Sequence, residues 1–367
     1  MGAVRCRALI ATLAVLVVAV LWGAGCDSDG GTDKVGVTVN SNKDTAERDG
    51  ALTLREAISL VTGQLALADL DDGERGQVKG TPGVNSEDII RFEMPSTDER
   101  TIALESPLPP LTSSGDTIDG SVGGDANADR VVIDGVNRSR VCVEINSSAN
   151  ALQGLRFVNC RTAILVREEA VDNHIGSGNA AGNVISGNVV GIEMRGHGNF
   201  VQGNYIGLDP ATNTAQGNEF EGIWVTPIGR ENIIGGSQEG EGNVISGNPL
   251  FGISIDGSVG NVVQGNLIGL DVSGSRSVGN NYGITVQAGA TGNLIGGDGE
   301  GERNVISGCN SGLLLRDANT TGNTVRGNYF GTSADGQTEI RNAVDIYQTP
   351  EVGENVLEGN RVTSEAP

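Results

Sequence analysis

Residues 183–188 read Asn-Val-Ile-Ser-Gly-Asn; the six positions return at 243–248 and again at 304–309, there as Asn-Val-Ile-Ser-Gly-Cys. Between these copies lies a second type, Gln-Gly-Asn-Tyr-Ile-Gly-Leu-Asp at 202–209, echoed at 264–271 and 326–333. Two longer series tie them together. Asn199, Asn232, Asn261, Asn293, Asn323 and Asn355 each open a strand-like unit, at spacings of 33, 29, 32, 30 and 32. Ile192, Ile223, Ile253, Ile284, Leu313 and Val344 recur at 31, 30, 31, 29 and 31. Interleaved series with one shared period define a coil of about 30 residues. Each unit alternates with period two, as in Gly252-Ile253-Ser254-Ile255, and no repeat contains the long 3.6-periodic stretches a helical array needs. Short strands separated by Gly and Asn corners describe a parallel β-helix of roughly nine coils. Asparagines at the same place in successive coils can also hydrogen-bond along the axis as a ladder.

Composition agrees with a solenoid. The chain has 367 residues, 57 of them glycine, and only 3% are aromatic, too few for an ordinary globular core. Its formal net charge of −22 sets it against nucleic acid as a partner.

The ends differ from the middle. Arg5 and Arg7 precede an apolar run over residues 8–22, then Gly23-Ala24-Gly25-Cys26. This reads as a signal peptide over residues 1–25. The last four residues resemble a bacterial lipobox, which implies that Cys26 becomes the lipidated first residue and that 26–33 form a tether. The expected address is the cell envelope, at the outer membrane or cell surface through that lipid anchor; a soluble secreted protein is the alternative. Residues 34–86 read as an N-terminal cap, with a strand at 35–39 and a helix opened by the capping box Thr53-Leu54-Arg55-Glu56. Leu54, Ala57, Ile58 and Val61 share one face of that helix. An open solenoid end exposes coil interior and strand edges, so a cover is a physical need, and Arg55 and Glu56 read as structural. Residues 87–367 form the β-helix.

Leu52-Thr-Leu-Arg-Glu-Ala57 resembles the Cys-Ser-Leu-Arg-Glu-Ala element of the CSLREA domain of bacterial surface and secreted proteins, with Leu52 in place of the cysteine. The downstream Ile89-Ile-Arg-Phe-Glu-Met-Pro95, Thr117-Ile-Asp-Gly120 and Asn-Val-Ile-Ser-Gly-Asn stretches are similar to the β-helix that follows it. The resemblance implies a right-handed, pectin-lyase-like helix and an envelope location, and no general activity.

Such helices carry lyases, hydrolases and adhesins alike, so function must be read from a site. Gly196-His197-Gly198 matches a tripeptide of polygalacturonase-like sites, but the companion paired aspartates are missing, and His197 reads as a turn residue. His174 has still less to recommend it. Asp209 and Asp271 lie two coils apart, about 9.5 Å along the axis. That is the outer limit for an inverting glycosidase pair, and the repeat explains them as copies of one turn residue. The acidic loops Glu239-Gly-Glu241 and Asp298-Gly-Glu-Gly-Glu302 could each bind calcium weakly or serve as a solvated rim. Two histidines and three methionines give a copper or zinc role little support, and no cofactor is expected. Cys142 and Cys160 are either bridged or buried as free thiols. If the second series points inward, its successors Glu193, Trp224, Ser254, Thr285, Leu314 and Asp345 form an outward row, one per coil at about 4.8 Å. Trp224 is then an aromatic on a flat sheet, suited to stacking on sugar, with Glu193 beside it. The reading is a non-catalytic recognition or adhesion module for extracellular polysaccharide or another cell surface. A polysaccharide lyase or glycoside hydrolase is the alternative.

Overall fold

The computed structural model describes residues 35–84, 86–94, 100–121, 130–177 and 182–363. The signal peptide, Cys26 and the tether lie outside them. Among the described residues the β-helix has three sheets of twelve, nine and eight strands. In each, a strand's neighbours come from the preceding and following coils, and pairing is parallel throughout the helix. The first sheet runs from Gly36–Val39 to Val356–Glu358, with the short strand Val78–Lys79 set antiparallel on its outer edge. The second runs from Thr101–Ala103 to Tyr329–Phe330. The third runs from Val141–Ile145 to Val344–Gln348. The chain is a right-handed parallel β-helix whose first coil is continued by an N-terminal strand and helix.

Register explains the repeat. Ile192, Ile223, Ile253, Ile284 and Leu313 are directly paired down the third sheet and fully buried. The last member departs from the expected series: Leu313 pairs with Ile346, while Val344 pairs with Ser311. The turn from Ser311–Leu315 to Thr324–Arg326 is longer than its counterpart from Phe251–Asp256 to Val262–Gln264, and stacking rather than count sets the register. Asp345 therefore takes the place held by Gly191, Gly222, Gly252, Gly283 and Gly312 in earlier coils. It is buried and accepts from Asn342 Nδ2 at 2.8 Å.

Asparagine ladders hold all three corners. In the first, Asn150, Asn173, Asn199, Asn232, Asn261, Asn293, Asn323 and Asn355 each pass an Nδ2–H to the next Oδ1, at 2.8–3.3 Å. A second links Asn183, Asn204, Asn243, Asn266, Asn304, Asn328 and Asn360. A third links Asn188, Asn218, Asn248 and Asn280, after which Cys309 stands at the corner. Each Oδ1 also accepts the preceding rung's backbone N–H, and the second amide hydrogen reaches a carbonyl or a serine hydroxyl; Asn199 accepts from Asn173 N–H and donates to Ala170 O. Only a side chain that donates and accepts at once can extend such a ladder, which selects the amide. Each rung satisfies buried corner groups that would otherwise cost roughly 1–3 kcal/mol.

The helix Leu54–Val61 carries the capping box, with Thr53 and Glu56 bonding each other's backbone N–H. Leu54, Ala57, Ile58 and Val61 are buried and join one core with the strand Gly36–Val39 and the coils. Arg55 holds Asp44 with two bonds, of 3.0 and 2.8 Å, and donates to the carbonyls of Ser106 and Pro107. Glu56, fully buried, pairs with Arg48, which also holds Glu74 at 2.8 Å. Both residues tie the cap together.

Candidate functional site

The outer side of the third sheet carries a set of aromatic and charged side chains on consecutive strands. Register puts Glu193, Trp224, Ser254, Thr285, Leu314 and Tyr347 in one row on consecutive strands. Tyr347, 43% exposed, ends the row where Asp345 was expected, by the shift described above. Trp224 is half-buried, and its indole N–H donates to Asp256 Oδ2 at 2.9 Å. Asp256 also accepts from Ser254 Oγ at 2.6 Å and Gln287 Nε2 at 2.7 Å, so three donors from three strands fix it. Arg316 Nε in turn donates to Gln287 Oε1 at 2.5 Å. On the other side of Trp224, Glu193 is 7% exposed and accepts from Arg195 Nε at 2.7 Å.

Glu221, on Trp224's own strand, belongs to the same neighbourhood. Burial pushes its carboxyl up to about 7, and the negative charges of Asp256 and Glu193 add to the rise. Its register partner Phe251 stacks on Tyr282 of the next coil, ring centres 5.3 Å apart. Glu221, Asp256, Phe251 and Tyr282 escaped the sequence reading because strict alternation gives Glu221 the parity of inward Ile223. The alternation breaks at Gly222, where a Cβ would lie 2.6 Å from Gly252 O. The glycine recurring at that place in five consecutive coils was the available signal.

The other sequence candidates do not converge. His197 sits at a corner, bridged to Val171 and Arg230. His174 lies flat on Phe200 with ring centres 4.6 Å apart, and burial lowers its pKa. Asp209 accepts from Arg156 and from the N–H groups of Ala211 and Thr212. Asp271 accepts from Ser273, Arg276 and the N–H of Ser275. Each aspartate clamps its own loop. The acidic loops come closer than their two-coil separation suggests, because the coil between them turns tightly at Gly265. A Cβ on Gly301 would sit 2.1 Å from Ser237 O. Glu241 and Glu302 are used locally, accepting from Gln238 N–H and Gly299 N–H at 2.9 and 2.8 Å. Cys142 and Cys160 form a disulfide with Cα atoms 5.8 Å apart.

A family model described as periplasmic copper-binding protein (NosD) matches residues 122–363. The chain belongs to the NosD family. Among solved structures, this NosD-family chain is similar to DFA-IIIase from Arthrobacter chlorophenolicus A6 in complex with DFA-III, at 14% identity and a TM-score of 0.39, covering 83% of this chain and 78% of that one. The same enzyme in complex with GF2 matches at 14% identity and a TM-score of 0.32, covering 90% and 99%. No curated protein matches the chain. Among the described residues no helix is long and apolar enough to cross a membrane.

The family's description raises copper, whose sites are built from imidazole, thiolate and thioether donors. The described residues do not fit it. His174 and His197 have different register partners, Cys142 and Cys160 are bonded to each other, and Met94 and Met194 face the core. Cys309 is buried, its thiol pushed up to about 12 by desolvation. No three His, Cys, Asp or Glu side chains among the described residues converge for a metal ion.

Proposed function

We propose that this NosD-family protein is a non-catalytic envelope β-helix that recognises polysaccharide on the outer side of its third sheet, held at the membrane by a lipid on Cys26. The observation that carries the reading is Trp224: a half-buried indole fixed by its N–H to Asp256, on a flat sheet and flanked by hydrogen-bonding side chains. An indole held this way loses little freedom on meeting a sugar ring, and its neighbours supply donors and acceptors for hydroxyls. The leader and the N-terminal element that resembles the CSLREA domain support display at the envelope, and the −22 formal charge speaks against nucleic acid. Trp224→Ala should weaken glycan binding by about thirtyfold or more, the loss typical of an aromatic hot spot worth about 2 kcal/mol. Unchanged affinity with intact far-ultraviolet circular dichroism would refute the assignment.

One observation favours the second reading, a glycoside hydrolase. Glu221 carries a carboxyl pushed up to about 7 near Asp256 and Glu193, the protonation pattern of a general acid beside an ionised partner. Shortened polymer chains in the presence of wild-type protein but not of Glu221→Gln would establish it. Polymers of unchanged length leave recognition as the function.

A further inference from the structure

Resting on that assignment of the third sheet to glycans, we infer that its ligand is an uncharged polysaccharide, and that polyuronates and sulfated glycans are excluded. Three arginines beside the Trp224 row are engaged by the protein's own groups: Arg167 bonds Glu144 at 2.7 and 3.0 Å, Arg195 bonds Glu193, and Arg316 is turned onto Gln287. Two of the three are thus neutralised by carboxylates of the same sheet. A uronate or sulfate would have to displace one of these carboxylates, exchanging one ion pair for another and leaving an acid unpaired.

The acids tell the same story from the other direction. Around Trp224 stand Glu193, Glu221 and Asp256, with Arg195 as the guanidinium paired to one of them. Glu221 responds to this potential, since its neighbours' negative charges add to burial in resisting ionisation. A bound polyanion would meet the same repulsion at every charged unit, on a protein whose formal charge is already −22.

What remains suits a neutral chain. Trp224 offers one stacking face, and the stacked pair Phe251 and Tyr282 lies three residues to one side of its row, on the next two strands. Tyr347 ends the Trp224 row at the last coil, with Ser254, Thr285 and Leu314 between the two rings. Ser254, Gln287 and the carboxylates offer donors and acceptors beside the rings, the mixture that hydroxyl groups require.

The test uses full-length protein, dodecylmaltoside-solubilised if it is lipidated, in affinity electrophoresis against neutral glucans, galactans and mannans, and against polygalacturonate, alginate and a sulfated galactan. Runs are made with chelator and with calcium, at low and high salt. The inference predicts retardation by at least one neutral polymer, unchanged by salt and reduced about thirtyfold or more in Trp224→Ala, with no retardation by the acidic polymers. At pH 8.5, where the Glu221 carboxyl is ionised, Glu221→Gln should relax the exclusion and give measurable polygalacturonate binding. Stronger binding of an acidic polymer than of any neutral one would overturn the inference, whether the binding fades with salt or needs calcium; recognition itself would survive if Trp224→Ala abolished it. Absence of retardation by every polymer would overturn both this inference and the glycan assignment beneath it.

Discussion

The first asparagine ladder ends in acid. Below Asn150 the corner is occupied by Asp116 and below that by Asp88, both fully buried. The backbone pattern continues unchanged: Asp116 N–H donates to Asn150 Oδ1 at 3.0 Å, and Asp88 N–H donates to Asp116 Oδ1 at 3.3 Å. What changes is the atom that should pass a hydrogen to the next rung. In Asn150 that atom is Nδ2, which donates to Asn173 Oδ1, whereas a carboxylate has nothing to donate. Asp116 therefore behaves as a rung only when protonated. Burial, with the charge of Asp88 added, pushes its carboxyl up to about 7 from an ordinary 3.8. A raised carboxyl pKa means the folded state holds the proton more tightly than the unfolded chain. Stability is full below about pH 4 and falls as pH rises to about 7, by about 4 kcal/mol for roughly three pKa units. Asp116→Asn restores the donor and removes the titration. It should change stability by no more than about 1 kcal/mol at pH 4.5 and raise it by up to about 4 kcal/mol at pH 8. Urea unfolding followed by circular dichroism, with amide exchange of the first coils as a local probe, measures both. Equal gains at the two pH values, or none at pH 8, would refute the ladder-end argument.

Three further outcomes follow from the same structure. Cys309→Asn places an amide where the third ladder breaks above Asn280, and should raise the unfolding midpoint by a stability gain of about 1 kcal/mol; a loss would mean the corner is shaped to sulfur. The Cys142–Cys160 bridge closes a loop with a sequence separation of 18, so its reduction or the double serine variant should cost about 3 kcal/mol in urea unfolding, and an unchanged midpoint would contradict that. Dialysis against Cu(II), or Cu(I) under reductant, followed by chelator and elemental analysis, should leave far less than one copper per chain in Cys26→Ser protein. A full equivalent that disappears in His174→Ala/His197→Ala would overturn the reading that these donors do not fit copper.

The fold was legible because a solenoid writes its geometry into the sequence many times over. An inward isoleucine and a corner asparagine obey the same stacking constraint in every coil, so their spacing exposes the period without any knowledge of contacts. The Leu313–Ile346 pairing marks the limit of that logic. Loop length varies freely between sheets, and counting residues across a longer loop gave Val344, two positions off. The site was legible only where it followed the repeat. Trp224 and Glu193 stood out as members of a regular row, but Glu221 and Asp256 lie just beyond the alternating core of their strands. There, a glycine that admits no Cβ breaks the period at one end, and the strand Phe251–Asp256 outruns the preceding strand Glu221–Val225 at the other. Stacking demands repetition of the interior and corner positions and leaves the strand margins free. The candidate ligand groups occupy those margins, where neither packing nor the ladder dictates the side chain. A repeat-based reading therefore finds the scaffold first and undercounts the site, and the excess of acids over free guanidinium groups became visible only when three coils were set side by side.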